Sequence, residues 1–83
     1  MNPRAREVKD KSPHHLIVSF TNDERKLFDL KPYLRYPIYE KLQDEVFCSS
    51  VKVQNGIVVW DEETDLASDW LYLESEPIDG RNL

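Results

Sequence analysis

The sequence predicts an α+β domain: an antiparallel β-meander, a second β-hairpin, and two short helices packed on the sheet. Three observations support this. Apolar and polar residues alternate through much of the first half, and polar turn clusters separate these stretches. In the second half an Asn-Gly pair divides two short apolar stretches, which is a strong hairpin signal. A chain of 83 residues is expected to form one domain with a small core.

Three stretches in the first half form the predicted meander. They cover residues 4–11, 15–20 and 25–30. The first is charged with Val8 at its centre, which is typical of an edge strand. The second places Leu16, Val18 and Phe20 on one face, because alternate strand residues point the same way. Ser12-Pro13 and the polar residues 21–24 are the expected turns.

A short helix is expected to follow this meander. Pro37 is compatible with the first turn of a helix, and Ile38, Leu42 and Val46 recur every four residues. That spacing predicts one apolar stripe facing the core. Asp44 is expected to interrupt the helix and to start a second turn.

The second hairpin is expected at residues 51–53 and 57–60. Asn55-Gly56 forms its turn, and the continuous apolar stretch 57–60 indicates a strand covered on both faces. The polar residues 61–65 then read as an exposed loop.

The last predicted helix runs over residues 65–73. Leu66, Trp70 and Leu73 would share its buried face, with Ser68 or Asp65 as the N-terminal cap. The domain is accordingly expected to span residues 1–73. Residues 74–83 are expected to form a flexible tail.

Charge is unevenly distributed along the chain. The protein has 16 acidic and 11 basic side chains, for a formal net charge of −5. Residues 1–35 hold eight basic and five acidic side chains, whereas residues 36–83 hold three basic and eleven acidic ones. Direct nucleic-acid binding is therefore not expected, because phosphate binding needs an excess of Lys and Arg.

The expected location is the cytoplasm. The sequence has no apolar stretch long enough for a membrane span and no signal-peptide core near its start. A single cysteine also suits a reducing compartment.

No residue pattern predicts an enzyme, a cofactor or a metal site. His14 and His15 are adjacent, so on a strand they would point to opposite faces and could not readily chelate one metal. Cys48 has apolar and acidic neighbours, which favour a small buried residue over a reactive thiol. Tyr33, Tyr36 and Tyr39 recur every three residues, which suits core packing or, alternatively, an interaction hot spot.

The densest acidic stretch is the main candidate for function. Four acids between Asp61 and Asp65 are compatible with a Ca²⁺ or Mg²⁺ site or with an acid–base pair. A solvated loop or a protein-contact surface fits such a stretch better. The candidate partner-binding residues are Trp60, Asp61, Glu62, Glu63, Asp65, Asp69 and Trp70.

The chain resembles the small bacterial domain DUF2442, a domain of unknown function. The matching segments, in order, are residues 2–4, 8–9, 16–20, 28–34, 39–42, 45–47, 51–53, 56–60, 65–66 and 69–72. The resemblance implies an α+β fold of antiparallel strands with short helices and no established activity. It also implies a small single-domain protein. Some members are encoded beside another small protein in a toxin–antitoxin-like arrangement, and some carry an added DNA-binding domain. Where the family often has a Pro-Asn-Gly turn after the Trp, this chain has Asp61 to Thr64.

The expected function is therefore a non-catalytic protein-interaction domain, with an accessory or antitoxin-like role in a two-gene module. The expected partner is another protein, of basic character because the second half is acidic. A homodimer that covers an edge strand is a further expectation. The alternative function is a regulator linked to nucleic acid through a dimer or a partner, with the basic first strand touching phosphates.

Overall fold

The computed structural model describes residues 2–11 and 13–78. Its strands are β1 (Ala5–Lys11), β2 (His15–Phe20), β3 (Arg25–Asp29), β4 (Lys52–Gln54), β5 (Ile57–Asp61), β6 (Thr64–Leu66) and β7 (Glu76–Pro77). Two 3-10 helices cover Lys31–Tyr33 and Pro37–Gln43, and two α-helices follow, α1 (Glu45–Cys48) and α2 (Ser68–Glu74). The α+β class predicted from the sequence is confirmed.

The strands form two antiparallel sheets. The first has the order β1-β2-β3-β7 and the second has the order β4-β5-β6. In the first sheet Leu16 lies opposite Phe28, and Val18 lies opposite Lys26. β4 runs close to β1, so the two sheets enclose one core.

Alternation along β2 builds the centre of that core. Leu16, Val18 and Phe20 are each fully buried, as the period of two predicts. The turn into β3 is tight: Phe20 N–H donates to Glu24 O at 2.8 Å, and Asp23 has a φ of 70°. Asp tolerates this left-handed backbone better than most residues, which explains the polar turn.

The apolar stripe predicted after Pro37 is wrong. Pro37–Gln43 is a 3-10 helix with about three residues per turn, so residues four apart do not share a face. Leu42 is fully buried, but Ile38 is 52% exposed and Val46 is 80% exposed. The interruption at Asp44 is confirmed, because its carboxylate accepts hydrogen bonds from the N–H groups at the start of α1.

The predicted second hairpin forms around Asn55 and Gly56. Their φ angles are 54° and 79°, the left-handed pair that a tight hairpin turn requires. β5 is not covered equally on both faces, however. Val58 and Trp60 are buried, whereas Ile57 and Val59 on the other face are half-buried.

The acidic stretch after Trp60 is a hairpin and not a loop. β6 pairs with β5 through Val58–Leu66 and Val59–Asp65. Thr64 and Leu66 are buried on alternate positions, a strand pattern that the surrounding acids concealed. The backbone N–H of Glu63 donates to the Asp61 carboxylate at 3.0 Å and closes the turn.

The last helix begins later than predicted, and neither Ser68 nor Asp65 caps it. Ala67 is the N-cap residue, and the hydroxyl of Ser68 bonds to other segments. Leu66 belongs to β6 and Leu73 is 65% exposed, so the buried helical face contains Leu71 instead.

Residues 76–77, beyond the predicted domain boundary at residue 73, belong to the first sheet. Ser75 is buried, and β7 pairs with β3 through Lys26–Pro77 and Leu27–Glu76. Ile78 N–H donates to Arg25 O at 3.1 Å. Residues 79–83 of the predicted tail, and Ser12 of the predicted turn, lie outside the described residues. None of the described helices has the length and apolar character needed to cross a bilayer.

Candidate protein-interaction site

Trp60, one of the candidate partner-binding residues, lies in the core of the structure. Its side chain is buried, with 6% of the residue exposed, and its indole Nε1 donates to Cys48 O at 2.9 Å. The period of two on β5 turns Trp60 to the same side as Val58. Its indole is therefore not available to a partner.

Asp61 is held by an ion pair that the sequence did not indicate. Lys41, on the second 3-10 helix, donates from Nζ to Asp61 Oδ2 at 2.9 Å. This bond, assisted by the Glu63 N–H, lowers the pKa of Asp61 to about 2. Asp61 thus positions the turn, and its charge is partly balanced within the molecule.

The remaining acids of the hairpin are exposed and have no ion-pair partner among residues 2–11 and 13–78. They are Glu62, Glu63 and Asp65. We call residues 57–66 the acidic hairpin. Because two paired strands fix its turn, these carboxylates are displayed in a defined arrangement and not on a loose loop.

A shallow groove runs across the outer face of the second sheet. Val59 lies opposite Lys52 on one side and opposite Asp65 on the other, so these three residues form one cross-strand row. Asp61 and Glu62 also line this groove. The groove combines a half-buried apolar floor with a mostly acidic rim.

Trp70 lies in an aromatic cluster next to the acidic hairpin. Its ring meets Tyr33 edge-to-face, with centroids 4.9 Å apart, and it also meets Phe28 at 5.9 Å. Phe28 and Tyr33 stack at 5.3 Å. Trp70 is half-buried, and its neighbour Asp69 is exposed at the start of α2.

The three tyrosines Tyr33, Tyr36 and Tyr39 differ in how much of each side chain is exposed. Tyr33 and Tyr39 are half-buried, whereas Tyr36 is 45% exposed. The hydroxyl of Tyr39 donates to the backbone oxygen of Asp65 at 3.4 Å, along the free edge of β6. Burial, with the nearby charge of Asp65, raises the pKa of Tyr39.

Cys48 is buried, which confirms its interpretation as a small core residue. Burial and the carboxylate of Asp10 raise the pKa of its thiol to about 12. The sulfur donates to Asp10 Oδ1 at 3.5 Å. A thiol that stays protonated is a poor nucleophile.

The two histidines lie apart from the acidic hairpin at the start of β2. His15 Nε2 lies 3.6 Å from the carboxylate of Asp29. His14 has a φ of 56° and belongs to the turn before the strand. Within the described part of the chain, no three His, Cys, Asp or Glu side chains come close enough together to bind a metal ion.

One family model matches the chain over residues 5–77, and it is described as a protein of unknown function (DUF2442). The match includes β7, in agreement with a domain that continues beyond residue 73. No curated protein matches the chain. No solved structure matches it either.

Proposed function

The chain belongs to the DUF2442 family, and from that premise we propose that it is a non-catalytic protein-interaction domain. Its acidic hairpin binds a basic protein in the cytoplasm. The observation that carries the proposal is the set of exposed carboxylates at Glu62, Glu63 and Asp65, none of which forms an ion pair within residues 2–11 and 13–78.

Electrostatics support this assignment. Residues 61–76 contain seven acidic side chains and no basic one, so the hairpin and α2 present charge of one sign. A surface of one sign attracts an oppositely charged partner over about one Debye length, roughly 8–10 Å at physiological salt. Lys41 balances Asp61 but leaves the other acids of the hairpin available.

Binding of a basic partner would suit an accessory role for this chain in a two-gene module. A small acidic domain that covers the basic surface of a neighbour-encoded protein would act in the manner of an antitoxin. A steered contact of this kind forms rapidly, and complementary charge also rejects acidic competitors. The proposal requires no cofactor and no catalytic group on this chain.

The alternative, a regulator that touches nucleic acid through its basic first half, has weaker support. Arg6 on β1 is paired with Asp23 at 3.1 Å, and the guanidinium of Arg4 donates to Asn55 O. These two arginines are therefore engaged within the molecule. Lys9 and Lys11 remain on β1, which is few for phosphate binding by a protein of net charge −5.

The test is co-purification followed by affinity measurement. The tagged chain is isolated from native cells at low salt, and the basic protein that co-purifies is then titrated against variants by calorimetry. We expect Glu62→Gln with Glu63→Gln to weaken binding by about tenfold, in the range for charge pairs at an interface. The matched control, Glu7→Gln with Glu40→Gln, removes the same charge from exposed positions elsewhere and should bind as the wild type does.

Recovery of no basic partner would refute the proposal. Equal weakening by the two double variants would also refute it, because binding would then depend on net charge and not on the hairpin. Retardation of a DNA or RNA duplex by the purified chain at low salt would favour the alternative function.

A further inference from the structure

A second feature of the surface is apolar and lies beside the acidic one. Tyr33, Tyr36, Trp70 and Leu73 form what we call the aromatic face. Tyr33 contacts both Trp70, at 4.9 Å between ring centroids, and Tyr36, at 6.5 Å. Leu73 lies three residues after Trp70 on α2, so the two are neighbours on the helix surface.

The aromatic face is more exposed than core packing requires. Leu73 is 65% exposed, Tyr36 is 45% exposed and Trp70 is half-buried. Part of each of these side chains is open to solvent. Aromatic residues concentrated at a surface are typical of the anchor positions of interfaces, where they supply a large contact area.

Carboxylates border this apolar area. Glu74 directly follows Leu73 on α2. Burial, with the charges of Glu74 and Asp29, raises the pKa of Tyr33. Asp69 lies four residues before Leu73 on α2, on the same helix surface. Two cations of the described chain lie nearby: the guanidinium of Arg35 lies 5.3 Å from the Tyr36 ring centre, and the buried Lys26 donates from Nζ to Tyr72 O at 2.6 Å and is engaged there.

This charge distribution decides which occupant fits. In a symmetric dimer through the aromatic face, the same acid-bordered patch would lie on both sides of the interface, and its like charges oppose association. A partner segment with apolar side chains between lysines or arginines would instead bring positive charges to these acids. Such a segment satisfies both the exposed apolar area and the acids around it.

We propose that the aromatic face binds a basic amphipathic segment of the partner protein. Apolar side chains of the segment pack on Trp70 and Leu73, and its cations pair with Asp69 and Glu74. α2 follows β6 of the acidic hairpin after a single residue, so the same partner protein can contact both surfaces. This inference rests on the proposed function and adds the chemistry of the partner.

The test uses two synthetic peptides of about 18 residues, long enough for helix formation. One is built from leucine and lysine with helical amphipathic spacing. The other has serine in place of every leucine and the same charge. Each is titrated into nitrogen-15-labelled protein and followed by NMR. The indole N–H signal of Trp70 reports on the aromatic face, and that of the buried Trp60 is the internal control.

We expect the leucine–lysine peptide to shift the Trp70 signal and to leave the Trp60 signal in place. Leu73→Ser should weaken this binding by about fivefold, as loss of one apolar anchor does. The matched control Val46→Ser removes an 80% exposed apolar side chain from α1 and should change the affinity by less than about twofold.

The outcomes separate the two proposals. If both peptides bind equally well and Trp70 does not shift, the aromatic face is not a binding site, while the acidic hairpin keeps its assigned role. If neither peptide binds, this inference is overturned together with the electrostatic basis of the proposed function. A Trp70 signal that shifts with protein concentration alone, with a dimer in analytical ultracentrifugation, assigns the face to a second copy and overturns the inference.

Discussion

Replacing Ser68 by alanine tests how the molecule joins its two sheets. The Ser68 hydroxyl accepts a hydrogen bond from the backbone N–H of Ala5 at 3.0 Å and donates one to the backbone oxygen of Gly56. It therefore links the start of β1, the turn between β4 and β5, and the start of α2. Ala5 is 4% exposed, so water does not readily replace the lost partner.

The expected loss follows from these contacts. A buried N–H left without a partner costs about 1–3 kcal/mol, and the better helix propensity of alanine returns up to about 0.5 kcal/mol. We expect Ser68→Ala to lower the free energy of unfolding by about 2 kcal/mol. A domain of this length has roughly 4–12 kcal/mol in total. The corresponding fall in Tm is about 8–16 °C.

The assay is thermal and urea unfolding followed by circular dichroism. Ser50→Ala is the matched control, because Ser50 is exposed and its hydroxyl donates to the nearby backbone oxygen of Phe47 at 2.6 Å. Water can replace that bond, so the control should lose less than about 0.5 kcal/mol. Equal losses in the two variants would show that Ser68 does not join the segments as the structure indicates.

Three further predictions concern ionisable groups. Because the thiol of Cys48 is buried with a pKa of about 12, a disulfide reagent should modify the native protein at least about a hundredfold more slowly than the denatured protein; similar rates would contradict that burial. Lys41→Ala should raise the pKa of Asp61 from about 2 toward 3.8 in an NMR titration. The wild type should lose its stability advantage over this variant as the pH falls through that window, and an unchanged pKa would exclude Lys41 as the cause. The hydroxyl of Tyr72 donates to Glu24 at 2.6 Å, lowering the pKa of Glu24 below 4.5 and raising that of Tyr72 above 10.0. The free energy of unfolding lost in Tyr72→Phe should therefore be largest near neutral pH, and should shrink as the pH falls below 4.5 or rises above 10.0; a flat pH profile would contradict the bond.

Local patterns were sufficient for much of the fold. The alternation of Leu16, Val18 and Phe20 predicts which face of β2 is buried, since a strand repeats every two residues. Asn55 and Gly56 predict the second hairpin because few residues tolerate the left-handed backbone of its turn. These rules depend on neighbouring residues alone, so they can be applied to a single sequence.

Features that depend on distant segments were not predicted. β7 forms because the open edge of β3, about fifty residues earlier, accepts Glu76 and Pro77. The sequence does not predict β6, because its acidic residues are typical of a loop. Its buried residues Thr64 and Leu66 nevertheless alternate as the residues of a strand do. The 3-10 geometry after Pro37 also changed which residues share a face, and this exposed Ile38.

Part of the candidate site can likewise be predicted from local sequence, and part depends on distant residues. Exposure of Glu62, Glu63 and Asp65 follows from their charge, and the sequence identified them. The ion pair of Asp61 with Lys41 joins residues twenty positions apart, which no local pattern records.

The salt dependence of association tests the central claim most directly. A basic protein recovered with the chain in the co-purification is mixed with wild type and with the Glu62→Gln, Glu63→Gln variant at increasing salt. The association rate constant is measured by stopped flow. Binding through the acidic hairpin predicts a wild-type rate that falls steeply with salt, by about tenfold or more, and a variant that starts lower and falls less. A salt-independent wild-type rate, or identical salt curves for the two proteins, would contradict the account.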